Sequence, residues 1–196
     1  MTGVQTCALP ICGAYALGAN GFLRIASFAL TGAFPSNAVT FAFGGVGAVG
    51  PAAFTASATE SPVFDLIVGI PTGSSVSNAT LTGAYNAVYL NFPQAAVGQA
   101  RQAYMPLQAD GAGGFGAVTA TGSATDNPSL TTQTIPGVTY SLSGTTGSIN
   151  FGAAAANQLI GGTQSFFVSP DGNLAVGGSA GGYDLLLASR DRKSVV

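Results

Sequence analysis

Val138-Thr139-Tyr140-Ser141-Leu142-Ser143 sets apolar and hydroxyl side chains in strict alternation. Successive side chains of an extended chain point to opposite faces, so Val138, Tyr140 and Leu142 share one side of a strand and Thr139, Ser141 and Ser143 the other. The stretch predicts a half-buried strand. Two more read the same way: Val39, Phe41 and Phe43 against Thr40 and Ala42, and Val88, Leu90 and Phe92 against Ala87, Tyr89 and Asn91. Turn chemistry falls between such runs. Ala109-Asp110-Gly111-Ala112-Gly113-Gly114 joins 99–108 to 115–122, and Ser169-Pro170-Asp171-Gly172-Asn173 joins 164–169 to 173–177. Proline presets φ, aspartate bonds its own backbone and glycine accepts positive φ, so both segments close hairpins. Residues 144–147 and 177–182 read as two more. Short strands at this spacing predict an all-β chain: an antiparallel barrel or sandwich of hairpin-linked strands, with a shorter N-terminal β segment. Helical signals are confined to 94–103 and 153–160, each long enough for a turn or two.

Composition narrows the chemistry. The chain has 196 residues, enough for one ordinary domain or two small ones, and 6% of them are charged, where a soluble domain usually carries about a quarter. Few groups can titrate, hold metal or grip phosphate. There is no histidine, which removes a Ser/His/Asp or Cys/His apparatus, a His-containing zinc site and a His switch. A net charge of −2 offers no cationic stripe for counterion release, so neither nucleic acid nor an anionic membrane surface is an expected partner. No uninterrupted apolar run reaches the roughly 18 residues of a membrane-spanning helix.

Both ends resemble translated sequencing adapter rather than natural protein: MTGVQTCALPI at 1–11 and DRKSVV at 191–196. On that reading 12–190 is a natural fragment, and a missing signal peptide carries no meaning. Cys7 then belongs to the artefact and Cys12 to its junction, so the pair forms neither a disulfide nor a metal clip. The native charges are Arg24, Arg101 and Arg190 against Glu60, Asp65, Asp110, Asp126, Asp171 and Asp184.

An internal repeat bears on domain count. Leu30-Thr31-Gly32-Ala33-Phe34 is echoed by Leu81-Thr82-Gly83-Ala84-Tyr85, and Phe64-Asp65-Leu66-Ile67-Val68-Gly69 by Tyr183-Asp184-Leu185-Leu186-Leu187-Ala188. Each unit would open with the first phrase and close with the second. The expected division is an N-terminal partial β unit and joint over 12–74, with Pro71-Thr72-Gly73-Ser74-Ser75 as the polar link, and a C-terminal barrel or sandwich over 75–190. The phrases LTGAYNAVYLNF (81–92), LQADGAGGFGAV (107–118) and SFFVSPDGNLAVGGSAGGYDLLLAS (165–189) resemble those of uncharacterised secreted bacterial proteins built of tandem Gly/Thr-rich β units. The resemblance covers 75–189 and implies a β-rich fold and export to the bacterial surface or beyond. It supplies no site residues.

Several motifs have a bland reading beside the functional one. Gly45-Val46-Gly47-Ala48-Val49-Gly50 has the spacing of a dinucleotide loop, but Pro51 and the Thr55-Ala56-Ser57-Ala58-Thr59 run give poor helix, and a phosphate cradle needs a helix N-terminus. Residues 177–184 have the Gly/Asp character of a calcium β-roll turn in a single imperfect copy, so a hairpin is preferred. No cofactor and no metal is expected. Arg101 shares strand parity with Ala103, Met105 and Leu107; Asp184 goes with Leu186 and Ala188, and Asp65 with Val63 and Ile67. These three are the candidate buried polar or ligand-contact residues. Because buried charge is costly unless paired, a pair of Arg101 with Asp184 or with Asp65 is one reading; the preferred one is that each marks a strand end where the side chain reaches water. Asp110 and Asp171 have turn duties and Asp126-Asn127-Pro128 reads as loop, which leaves no convincing acid/base pair.

The reading is a non-catalytic secreted or surface module, structural or adhesive, and not an enzyme. The alternative is a barrel binding a small apolar ligand or a glycan, which requires a cavity of roughly 300 Å³ or more. A hydrolase using Asp carboxylates is the remote alternative. An outer-membrane barrel would need strands of about 9 to 11 residues, longer than these runs.

Overall fold

The computed structural model describes residues 2–4, 11–17, 23–30, 41–42, 53–58, 67–71, 75–179 and 181–191. The chain divides into two units, Met1–Gly69 and Ile70–Val196. In the first, β1 (Thr2–Val4), β2 (Ile11–Leu17), β3 (Leu23–Leu30), β4 (Phe41–Ala42), β5 (Phe54–Ala58) and β6 (Ile67–Gly69) form an antiparallel sheet in sequence order. Strand β4 lies within the alternation read at 39–43. The glycine motif at 45–50 and Asp65 lie outside the described residues.

The second unit adds β7 (Val76–Ser77), β8 (Thr82–Asn91), β9 (Arg101–Asp110), β10 (Gly114–Ala124), β11 (Thr132–Gly144), β12 (Thr146–Asn150), β13 (Thr163–Val168), β14 (Leu174–Gly178) and β15 (Asp184–Arg190). Each strand from β8 to β15 pairs antiparallel with the next, and β15 pairs back onto β8, so eight strands close an up-and-down barrel with β7 as an extra strand on β11. All-β architecture and the antiparallel barrel are thus established. The Asp110 and Asp171 turns join β9 to β10 and β13 to β14, as their turn chemistry requires, and 144–147 and 177–182 also fall at hairpins. The helical signal at 94–103 resolves into two short 3-10 turns, Pro93–Ala95 and Val97–Gln99, before β9 begins. The run 153–160 contains no helix.

Parity fills the lumen. In β9, Arg101, Ala103, Met105, Leu107 and Ala109 are buried while every second residue is exposed. Val138, Tyr140 and Leu142 of β11 face inward, as their alternation predicts. In β8 the sides are reversed from simple hydropathy: Ala87 and Tyr89 are buried, whereas Val88 and Leu90 are 49% and 37% exposed. Tyrosine can occupy the inside because its hydroxyl finds a partner. Tyr85 donates to the Gly172 carbonyl at 2.6 Å, and Tyr140 donates to that of Leu81 at 3.0 Å.

Phe166 shows how a large ring fits. Its register partners on both sides are glycines, Gly147 of β12 and Gly177 of β14. A Cβ on Gly147 would stand 2.5 Å from the Phe166 ring, and one on Gly177 would stand 2.7 Å from the Phe166 Cβ. The ring therefore covers the space that Gly147 leaves, and the bare Gly177 lets the β13 backbone approach closely. Phe166→Ala is expected to destabilise the barrel by about 3–5 kcal/mol and Gly147→Ala by about 1–3 kcal/mol in urea unfolding. The double variant should cost less than the sum, because the methyl enters the vacated volume.

Candidate functional site

In an up-and-down barrel alternate strands run the same way, and their inward residues stack in layers. The strands β9, β11, β13 and β15 all begin at one end of this barrel. Each carries a polar inward residue at its first or second position: Arg101, Gln133, Gln164 and Asp184. These four form a polar collar at that end, above the apolar layers headed by Ala103, Ile135, Phe166 and Leu186.

The β12–β13 loop closes over the collar. Its Leu159 and Ile160 are 1% and 2% exposed, and Gln133 holds them: its Oε1 accepts from both backbone N–H groups at 2.7 and 3.1 Å, and its Nε2 donates to the Ile160 carbonyl at 2.8 Å. Arg101 reaches the same loop through Nη1, which donates to the Gln158 carbonyl at 2.7 Å.

Arg101 is inward and buried as parity indicates, but its carboxylate partner is Asp126, at 2.6 Å from Nη2. The pairing with Asp184 that the sequence suggests is not formed. Asp126 follows the end of β10, and the register sets Ala124 of β10 opposite Arg101, which brings the loop carboxylate within reach. Asp184 is occupied elsewhere. It accepts from the Ser179 N–H at 2.7 Å, the Ser179 hydroxyl at 2.8 Å and the Tyr89 hydroxyl at 2.8 Å. Burial, followed by the adjacent Asp184 charge, raises the Tyr89 pKa far above its ordinary value, since both disfavour the phenolate.

Asp110 and Asp171 shape backbone. Asp110 Oδ1 accepts from the N–H groups of Ala112, Gly113 and Gly114 at 2.7, 2.9 and 2.9 Å, and these bonds, led by that of Gly114, lower its pKa. Asp171 accepts from the Ser169 hydroxyl at 2.7 Å and from the Asn173 backbone and side chain, and its pKa is lowered in turn. Asp126 is lowered chiefly by its hydrogen bond from Arg101. Among the described residues no group of three or more His, Cys, Asp or Glu could hold a metal ion. A cavity of about 10 Å³ lies among Leu81, Tyr85, Leu107, Phe115, Ile149 and Phe166, with Ala175, Leu186 and Ala188 completing its lining.

The outer wall has two characters. The exposed residues of β10 to β12 are largely hydroxyl-bearing, among them Thr119, Thr121, Thr134, Thr139, Ser141 and Ser143. Across the other strands, register aligns Tyr104, Val88, Leu187, Val176 and Phe167 in one row from β9 to β13. The second unit is, by fold, a closed eight-stranded meander barrel with a packed interior and a capped polar end. No protein-family model matches the chain, and no curated protein matches it.

Asp126→Ala is expected to destabilise the fold more than the combined Arg101→Met and Asp126→Ala substitution, because the single change strands a buried guanidinium; a denaturation double-mutant cycle reads the difference. The folded pKa values of Asp110, Asp126 and Asp171 lie below 3.8, so their stabilisation is present above that value and is lost as pH falls through the folded values. Tyr85, Tyr89 and Tyr140 are raised, chiefly by burial, so their contribution is present below the ordinary value of 10.0 and is lost as pH rises. Urea midpoints should therefore decline at both extremes, with the acid limb flattened in Asp110→Asn.

Proposed function

We propose that this chain is an exported, non-catalytic β module of the bacterial surface, structural or adhesive in role. The observation that carries the reading is the filled lumen. A cavity of about 10 Å³ lined by apolar side chains is far below the roughly 300 Å³ of a small-molecule site, which supports packing rather than ligand carriage. Four carboxylates support it too, because Asp110, Asp126, Asp171 and Asp184 all hold turns or strand ends in place.

Strands β8 to β11 reach the length that a transmembrane barrel requires, longer than the sequence runs imply, while β12 to β15 have 5 to 7 residues. An apolar lumen beneath a hydroxyl-rich half wall is also the inverse of the membrane pattern, in which the interior is polar. The wall is better suited to contact with polar or mixed surfaces in water. The apolar row from Tyr104 to Phe167 provides the adhesive side of the reading.

The test uses the full chain. Fatty acids and soluble oligosaccharides at saturating concentration should leave its Tm unchanged, whereas a ligand bound to the native state would raise it. The chain should cosediment with bacterial cell envelopes, and Val88→Thr with Tyr104→Ser should weaken that retention. Saturable ligand binding with a raised Tm, or hydrolysis of a glycoside abolished by Asp126→Asn or Asp184→Asn, would overturn the proposal.

A further inference from the structure

The two seams that flank β9 are built unequally. Toward β8 the whole strand is laddered, from Arg101 opposite Asn91 to Asp110 opposite Thr82. Toward β10, among the described residues, the ladder runs from Arg101 opposite Ala124 to Tyr104 opposite Thr121 and stops there. The sequence supplies the cause. The Thr125 N–H donates to the Ala100 carbonyl at 2.8 Å, so the alternate residues that follow Ala100 in β9, Gln102 and Tyr104, also turn their backbone groups toward β10. The next in that series is Pro106, which has no N–H to donate. Continuing the register would set Pro106 opposite Thr119, where one of the two exchanged bonds cannot form.

Beyond that point β10 also changes parity. Its register with β11 shifts between Gly114 and Gly116 and again between Gly116 and Val118, and Gly116 takes a φ of 68°. The inward residues of β10 therefore step from Val118 to Phe115, while β9 alternates strictly through Leu107 and Ala109. Both ends of this stretch are fastened. At the collar end Arg101 pairs with Asp126 at 2.6 Å. At the hairpin tip Asp110 accepts from the N–H groups of Ala112, Gly113 and Gly114, the Tyr140 N–H donates to the Gly113 carbonyl at 2.7 Å, and Asn78 Nδ2 donates to the Ala112 carbonyl at 3.1 Å. We infer that the barrel wall opens locally between 106–109 of β9 and 115–119 of β10, as a slot closed at both ends. Directly behind it lies the apolar cavity of about 10 Å³, to which β9 contributes Leu107 and β10 contributes Phe115. The slot is the route by which solvent reaches the interior while the rest of the wall stays paired.

Local opening reads out as amide exchange that outpaces global unfolding. In the full chain, the backbone amides of Gln108 and Thr119 should exchange roughly 100-fold faster than those of Thr121 and Ser123, at a rate that low urea leaves unchanged. Met105 and Leu107, whose amides face β8 in the same strand, should exchange only with global unfolding. Pro106→Val returns the missing donor on the outer face and should slow exchange at Thr119 by about tenfold, with Pro106→Thr as a second variant. Equal protection of the two halves of the β9–β10 seam in the native chain would overturn the inference, as would native exchange rates at Thr119 and Gln108 in a folded Pro106 variant. Should neither variant fold, the native-chain measurement decides alone.

Discussion

The ladder between β15 and β8, running from Asp184 opposite Asn91 to Arg190 opposite Tyr85, closes the wall of the second unit. Without it β8 and β15 would present open edges, and the inward faces of eight strands would have no common interior. Closure is reinforced at the far end of the ladder. The Arg190 guanidinium donates to the Thr82 carbonyl and lies 5.7 Å from the centre of the Tyr85 ring. At the near end Asp184 ties β15 to Tyr89 of β8 and to the Ser179 turn.

Closure also assigns the polar groups. The two ends of the barrel differ in how they treat carboxylates. At the hairpin end, Asp110 and Asp171 face backbone N–H groups and stay near water. At the collar end Arg101, Gln133, Gln164 and Asp184 point inward beneath a loop that brings its own apolar side chains, Leu159 and Ile160. A layer of hydrogen-bonding groups under a greasy cap fixes the loop by directional bonds as well as by burial, and Gln133 alone engages three backbone groups for that purpose.

Much of this architecture is legible in the primary structure. The alternation in β11, the parity of Arg101 with Ala103, Met105 and Leu107, and the turns at Asp110 and Asp171 are local properties of extended chain and of turn-forming residues. The repeat phrases acquire a physical sense as well: those at 81–85 and 183–188 contribute to β8 and β15, the two strands that close the ring. The collar had a faint sequence signal, a polar residue opening every second strand, which has meaning only once those strands are known to run the same way around one lumen.

Backbone geometry and side-chain type thus settle which segments extend and where they turn, because both act within a few residues. Partner choice follows a different rule. Arg101 meets Asp126 and not Asp184 because the β9–β10 register carries the loop carboxylate to the guanidinium while Ser179 and Tyr89 already occupy Asp184. Val88 and Leu90 face out although they are more apolar than Ala87 and Tyr89, because eight strands enclose a lumen of fixed width, and tyrosines whose hydroxyls reach partners there fill it. Such choices depend on distances between residues remote in sequence, and those distances exist only after the barrel has closed.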